Sequence, residues 1–149
     1  MRVLGISVEP AGGKPKVHVV TVESKSSDPE VVDSFTLQTT ETSPAAQAVN
    51  LAQLLQGRLP GMKFDSAVIK TAGASPVPRR NRAAFQRAHA EGAILFVLHE
   101  VGKNGVEAKD AQGLATLAGK KKADLEAAAQ GLHSERKYLG AVYAALAMF

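Results

Sequence analysis

Cysteine is absent from the 149 residues, which excludes a disulfide framework, a thiolate metal site and a cysteine nucleophile together. Aromatic residues are scarce: there is no tryptophan, with two tyrosines and five phenylalanines. That is too few for the ring platforms on which single-stranded nucleic acids stack. Long apolar runs are missing as well. Runs such as residues 93–98 fall far short of the ~18 residues needed to cross a bilayer, and the apolar stretch at residues 3–6 is too short for a signal peptide. Together these absences describe a folded, cytoplasmic protein with no membrane association. Apolar residues make up 45% and charged residues 21%, close to the soluble average, and the length fits one domain spanning 1–149.

Several familiar chemistries are missing too. No two of His18, His89, His99 and His133 are spaced i, i+4 as in a helical zinc site. Ser7, His99 and an aspartate do not form a nucleophile set, because no G-x-S-x-G elbow surrounds the serine. Gly12-Gly13-Lys14 lacks the earlier glycine and the following serine or threonine of a phosphate loop; it reads as a hairpin turn. The sequence therefore implies neither a metal nor a cofactor.

What is present is positive charge, unevenly placed. Residues 1–60 hold 5 basic against 6 acidic side chains, and residues 61–149 hold 13 against 8. Two clusters stand out in that second part: Arg79, Arg80, Arg82 and Arg87, and the run Lys120-Lys121-Lys122. Such clusters suit phosphates, because each neutralised phosphate releases condensed counterions. They equally suit a solvated surface.

Residues 2–8, 16–23 and 31–38 are rich in valine and isoleucine and are separated by polar turns, predicting a three-stranded antiparallel meander. Thr42 or Ser43 with Pro44 opens a helix whose apolar set is Val49, Ala52, Leu55 and Leu59, ended by Gly57 and Pro60-Gly61. Residues 64–71 predict a fourth strand. Residues 79–91 predict a helix closed by Gly92, and residues 93–99 a fifth, central strand. Residues 106–117 are ambiguous. Residues 120–130 predict a helix stopped by Gly131, and Ser134 caps a last helix with Tyr138, Val142, Tyr143 and Leu146 on one face. The implied architecture is α/β: a mixed five-stranded sheet, three antiparallel strands followed by α/β units, covered by helices in three layers.

This order resembles the ribonuclease H-like fold, and in detail its RuvC branch, the bacterial Holliday-junction endonucleases. Val3-Leu4-Gly5-Ile6-Ser7-Val8-Glu9-Pro10 resembles that family's opening "ILGIDPG", and Ala67-Val68-Ile69-Lys70-Thr71 resembles its "aiE" strand. Residues 81–91 with 93–99 resemble its "a-R-G" helix end and the strand that follows. Residues 108–122 resemble its lysine-bearing segment ahead of a DNA-facing helix, and the final helix resembles its "DA-x-x-hAh" ending. The resemblance implies carboxylates on strand 1, strand 4 and the last helix, holding two divalent cations that activate water and stabilise the leaving oxygen. At those positions this sequence has Ser7, Lys70 and the acid-free stretch Tyr138-Leu139-Gly140-Ala141-Val142-Tyr143.

The expectation is thus a RuvC-like pseudo-nuclease that binds DNA or RNA by backbone contacts through Arg79, Arg80, Arg82, Lys120, Lys121 and Lys122, with Ser7 and Lys70 as degenerate active-site positions. Two alternatives stay open. The apolar ending at residues 144–149, if partly uncovered, suits a homodimer or another protein partner. A divergent metal-dependent nuclease would have to relocate its ligands to Glu9, Asp65, Glu100 or Glu135. Of these, Glu9 reads better as a turn residue and Glu135 as a stabiliser of the last helix's N-terminus.

Overall fold

The protein is described by a computed structural model covering residues 1–26, 28–73, 82–101 and 105–149. Its sheet begins with the expected meander: β1 (Arg2–Glu9), β2 (Lys16–Ser24) and β3 (Pro29–Leu37), each antiparallel to the next. Gly12 and Gly13 make the first turn at φ values of 56° and 88°, a region that only glycine enters without steric cost. β4 (Ser66–Lys70) then lies parallel to β1, and β5 (Val106–Lys109) lies parallel to β4, giving the order β3-β2-β1-β4-β5.

Alternation along the strands divides the core in two. Leu4, Ile6, Val8, Val17, Val19 and Ile69 point to one face, covered by α1 (Pro44–Arg58) and α2 (Arg82–Val101). Val3, Val20, Val22 and Val68 point to the other, covered by α3 (Ala111–Leu117), α4 (Lys122–Leu132) and α5 (Leu139–Leu146). This is the three-layer α/β arrangement expected. Since side-chain direction has period 2, Ser7 and Lys70 share the α5 face with Val3 and Val68.

Helix starts follow local chemistry. Ser43 caps α1 by accepting from the Ala46 amide, with Pro44 at the first helical position, and Asp110 caps α3 by accepting from the Gly113 amide at 2.8 Å. Among the described residues no helix is long and apolar enough to cross a membrane.

Four expectations are corrected. Residues 93–99 are not a strand: α2 runs unbroken through Gly92 to Val101. A short apolar run fits a helix and a strand equally. Here Ala90, Ile94, Val97 and Leu98 are buried while Phe96 is 67% exposed, which is one helical face and not a buried strand. The fifth strand is instead Val106–Lys109, within the ambiguous stretch, and it occupies an edge of the sheet. Gly131 does not stop α4, which continues to Leu132. Ser134 does not cap the last helix: a 3-10 turn, Arg136–Tyr138, leads directly into α5, and neither carries a side-chain cap. In the apolar ending, Ala144, Ala145, Leu146 and Ala147 are at most 3% exposed within the second core, and Met148 and Phe149 are partly buried against it.

Candidate functional site

A close approach of helix to sheet sets the site. A Cβ on Gly5, in the middle of β1, would strike the Ala141 carbonyl oxygen and lie 2.8 Å from the Ala145 Cβ and 2.9 Å from its backbone nitrogen. Glycine is therefore what allows α5 to lie directly on β1. The same approach brings the start of α5 to the C-terminal end of β1, where a Cβ on Gly140 would sit 3.0 Å from Ser7 Oγ. Ser7 pairs with Lys70 across the parallel β1–β4 ladder and with His18 across the β1–β2 ladder. Three strands and one helix start thus converge on one spot.

There a cleft of about 470 Å³ opens, within the range of small-ligand sites. Ser7, Glu9, His18, Lys70, Arg87, Arg136, Lys137 and Gly140 contribute to its walls. Among the described residues Glu9 is its only carboxylate, set against the cations Lys70, Arg87, Arg136 and Lys137. His18, 2% exposed, holds the Glu9 carboxylate at 2.6 Å through Nε2, and its Nδ1 lies 2.9 Å from Thr36 Oγ1. Glu9 is therefore tied into the sheet and is more than the turn residue expected. Arg87 is anchored by Glu91, whose carboxylate accepts from Arg87 Nε at 2.8 Å and from the Ala72 amide at 3.2 Å. Lys137 pairs with Glu135 at 2.9 Å, and Glu135, at the start of the turn leading into α5, makes no side-chain capping bond. The hydrogen bond between the two holds the Glu135 carboxyl below its ordinary value and raises the Lys137 ammonium.

Among the described residues Lys70 and Arg136 make no ion pair. Lys70 is half-buried, its Nζ 4.6 Å from the centroid of the Tyr143 ring, a cation–π arrangement. Burial pushes its ammonium below the ordinary lysine value; the nearby Lys122 and Arg87 charges add to that push and Glu126 opposes it. A second cleft of about 390 Å³ adjoins the first. It shares Lys70 and Arg87 and adds Lys122, Asp110 and Gln112.

The expected site residues are only partly brought together. Lys122 reaches the second cleft. Arg82, Lys120 and Lys121 are exposed and line neither cleft, and Arg79 and Arg80 lie outside the described residues. Ser7 and Lys70 do meet. The sequence reading missed Arg136 and Lys137 as site residues, although the pair stands immediately before the final helix. His99 is exposed near the end of α2 and lines neither cleft.

Divalent cations of the kind these nucleases hold need anionic oxygen ligands. Where β1, β4 and the start of α5 meet, the cleft presents the Ser7 hydroxyl, the Lys70 ammonium and Gly140. All 14 acidic residues and all four histidines of the chain are among the described residues. No three of them gather into a group that could hold a metal ion. The donor set does not fit a pair of divalent cations.

The sheet order and the two helical layers define a ribonuclease H-like α/β fold. Within that class the structure is similar to RuvC. It matches a Thermus thermophilus RuvC structure with a TM-score of 0.70 and 18% sequence identity, covering 99% of this chain and 92% of that one. It matches the T. thermophilus RuvC in complex with Holliday junction substrate with a TM-score of 0.72 and 16% identity, over the same shares. No family model and no curated protein matches the sequence. The likeness is one of fold.

Proposed function

We propose that this protein binds the phosphate backbone of nucleic acid in the cleft between β1, β4 and the start of α5, and does not cut it. The observation that carries this reading is the meeting of Lys70 and Arg87 where two clefts join, with Arg136, Lys137 and Lys122 around them and two carboxylates, Glu9 and Asp110, each already bonded to the protein. Charge of that sign, without aromatic platforms, suits backbone contact and carries little base readout. The fold supports it, since RuvC of the same fold has been captured with a Holliday junction substrate. Arg82 and Lys120–Lys122, at the starts of α2 and α4, extend the positive surface; Arg79 and Arg80 precede Arg82 in sequence and belong to the same proposal.

The absence of cutting rests on the donor set. Water activation by a metal pair needs carboxylates that Ser7, Lys70 and Gly140 do not supply. Two assays test the two halves. Fluorescence anisotropy with labelled duplex and four-way-junction DNA is expected to show binding whose logarithm falls linearly with the logarithm of salt concentration; salt-indifferent affinity contradicts it. Incubation of the same DNA with magnesium or manganese is expected to leave it intact. Cleavage that Glu9→Gln abolishes overturns the second half.

A further inference from the structure

The misfit between fold and donor set has a positive side. Lys70 is a half-buried cation with no ion-pair partner among the described residues. Removing a charge from water without supplying a counter-charge is unfavourable. Of the charges facing Lys70, Glu126 of α4 attracts it without pairing with it, its carboxylate lying 3.8 Å from the Lys122 ammonium, while Arg87 from α2 and Lys122 from α4 repel it. Asp110, which lines the second cleft, is occupied as the cap of α3. Beneath it the Tyr143 ring offers only its face, because its hydroxyl donates to the Ala111 carbonyl at 2.7 Å. Among the described residues no carboxylate pairs directly with Lys70. A phosphate oxygen has the charge and size that complete the site, and Arg87, locked by Glu91, is placed to take a second oxygen in the fork geometry arginine favours.

We propose that the Lys70 ammonium is the resident cation of this cleft, gripping a phosphate of a bound nucleic-acid backbone without any divalent metal. This rests on the backbone-binding reading above and adds to it. Binding needs no magnesium, and magnesium competes with Lys70 and Arg87 for the phosphate.

Three measurements on the full chain test it, with a short labelled DNA duplex as the probe. At matched ionic strength, affinity in a chelator is expected to equal or exceed affinity in magnesium; affinity that rises with magnesium or vanishes in the chelator overturns the proposal. Lys70→Met keeps the aliphatic stem over Tyr143 and removes the charge. It is expected to reduce the slope of log affinity against log salt by about 0.9, one phosphate contact, so that a fourfold rise in salt costs the variant about 3.5-fold less affinity than it costs the wild type. A slope unchanged by Lys70→Met overturns the proposal. In the wild-type protein the Lys70 Cε resonance reports its titration directly. Its midpoint is expected to rise when the DNA is added, and a midpoint that stays put overturns the proposal without recourse to any variant. If the wild-type chain binds no DNA even at low salt, the backbone-binding reading fails and this one with it; if it binds and Lys70 is indifferent, only this inference fails.

Discussion

Among the glycines of the described residues, Gly5 leaves the least room for a methyl group. In Gly5→Ala the new Cβ meets the Ala141 carbonyl oxygen and lies 2.8 Å from the Ala145 Cβ and 2.9 Å from the Ala145 nitrogen. Carbon atoms settle at about 3.5–4.0 Å, so α5 must retreat by roughly 1 Å. The obstacles include helix backbone, and no rotamer change can relieve them. Retreat also loosens a helix whose residues from Ala141 to Leu146 are all buried; gaps of about 0.5–1 Å forfeit roughly a quarter to a half of each contact's dispersion energy. Overpacking ordinarily costs about 1–3 kcal/mol, and with backbone in the way the upper figure applies. At about 2–4 °C per kcal/mol for a chain of this size, the melting temperature is expected to fall by about 6–12 °C. The same shift separates Gly140 from Ser7 and tilts the Tyr143 ring beneath Lys70, so DNA affinity falls with it. Thermal denaturation followed by circular dichroism is the assay. A variant that melts within about 2 °C of the wild type, under 1 kcal/mol, refutes the claim that glycine sets the β1–α5 distance.

Lys70→Met is expected to melt higher than the wild type while binding DNA less well, because it removes a desolvated charge that serves only the ligand; by analogy with other substitutions that trade function for stability, the gain is about 1 kcal/mol. The sign with pH follows from the lowered Lys70 value: between it and the ordinary lysine range the unfolded chain binds more protons, so the wild type gains stability as pH rises there and the gap to Lys70→Met narrows in alkaline solution. A gap that widens with pH contradicts this. Glu91→Ala strips the Ala72 amide and Arg87 of their acceptor and is expected to cost about 1–3 kcal/mol in chemical denaturation, with Glu91→Gln, which retains an acceptor oxygen, costing less. Tyr143→Phe loses the 2.7 Å bond to Ala111, worth about 1 kcal/mol, yet keeps the ring under Lys70. It should melt lower and bind DNA as the wild type does.

How far the sequence discloses all this depends on the element. The meander, α1 and β4 are legible because turn residues such as Gly12-Gly13 and Ser43-Pro44 bracket segments of clear periodicity. The span from Ala93 to His99 misleads because its apolar run carries no period of its own, and only the exposure of Phe96 beside buried Leu98 betrays a helix. Val106–Lys109 hides for the opposite reason: an edge strand reading VEAK is too polar and too short to announce itself. At the site, the facing of Ser7 and Lys70 follows from the resemblance to RuvC and from period-2 alternation. The roles of Arg87 and Arg136 do not. They lie on elements far apart in sequence, and only the docking of α2 and of the turn before α5 onto the ends of the central strands puts them in one cleft.

On the reading proposed above, this cleft, and not general positive charge, holds the nucleic-acid backbone. The distinction is tested most directly by comparing salt slopes of DNA binding for the wild type, the double variant Lys70→Met/Arg136→Ala, and Lys63→Ala. Lys63 is an exposed cation just before β4, at the opposite end of that strand from Lys70. The double variant is expected to lose about 1.8 from the slope, two phosphate contacts, and Lys63→Ala to lose nothing. Equal slopes for all three proteins, or a loss in Lys63→Ala as large as in the double variant, would contradict the account.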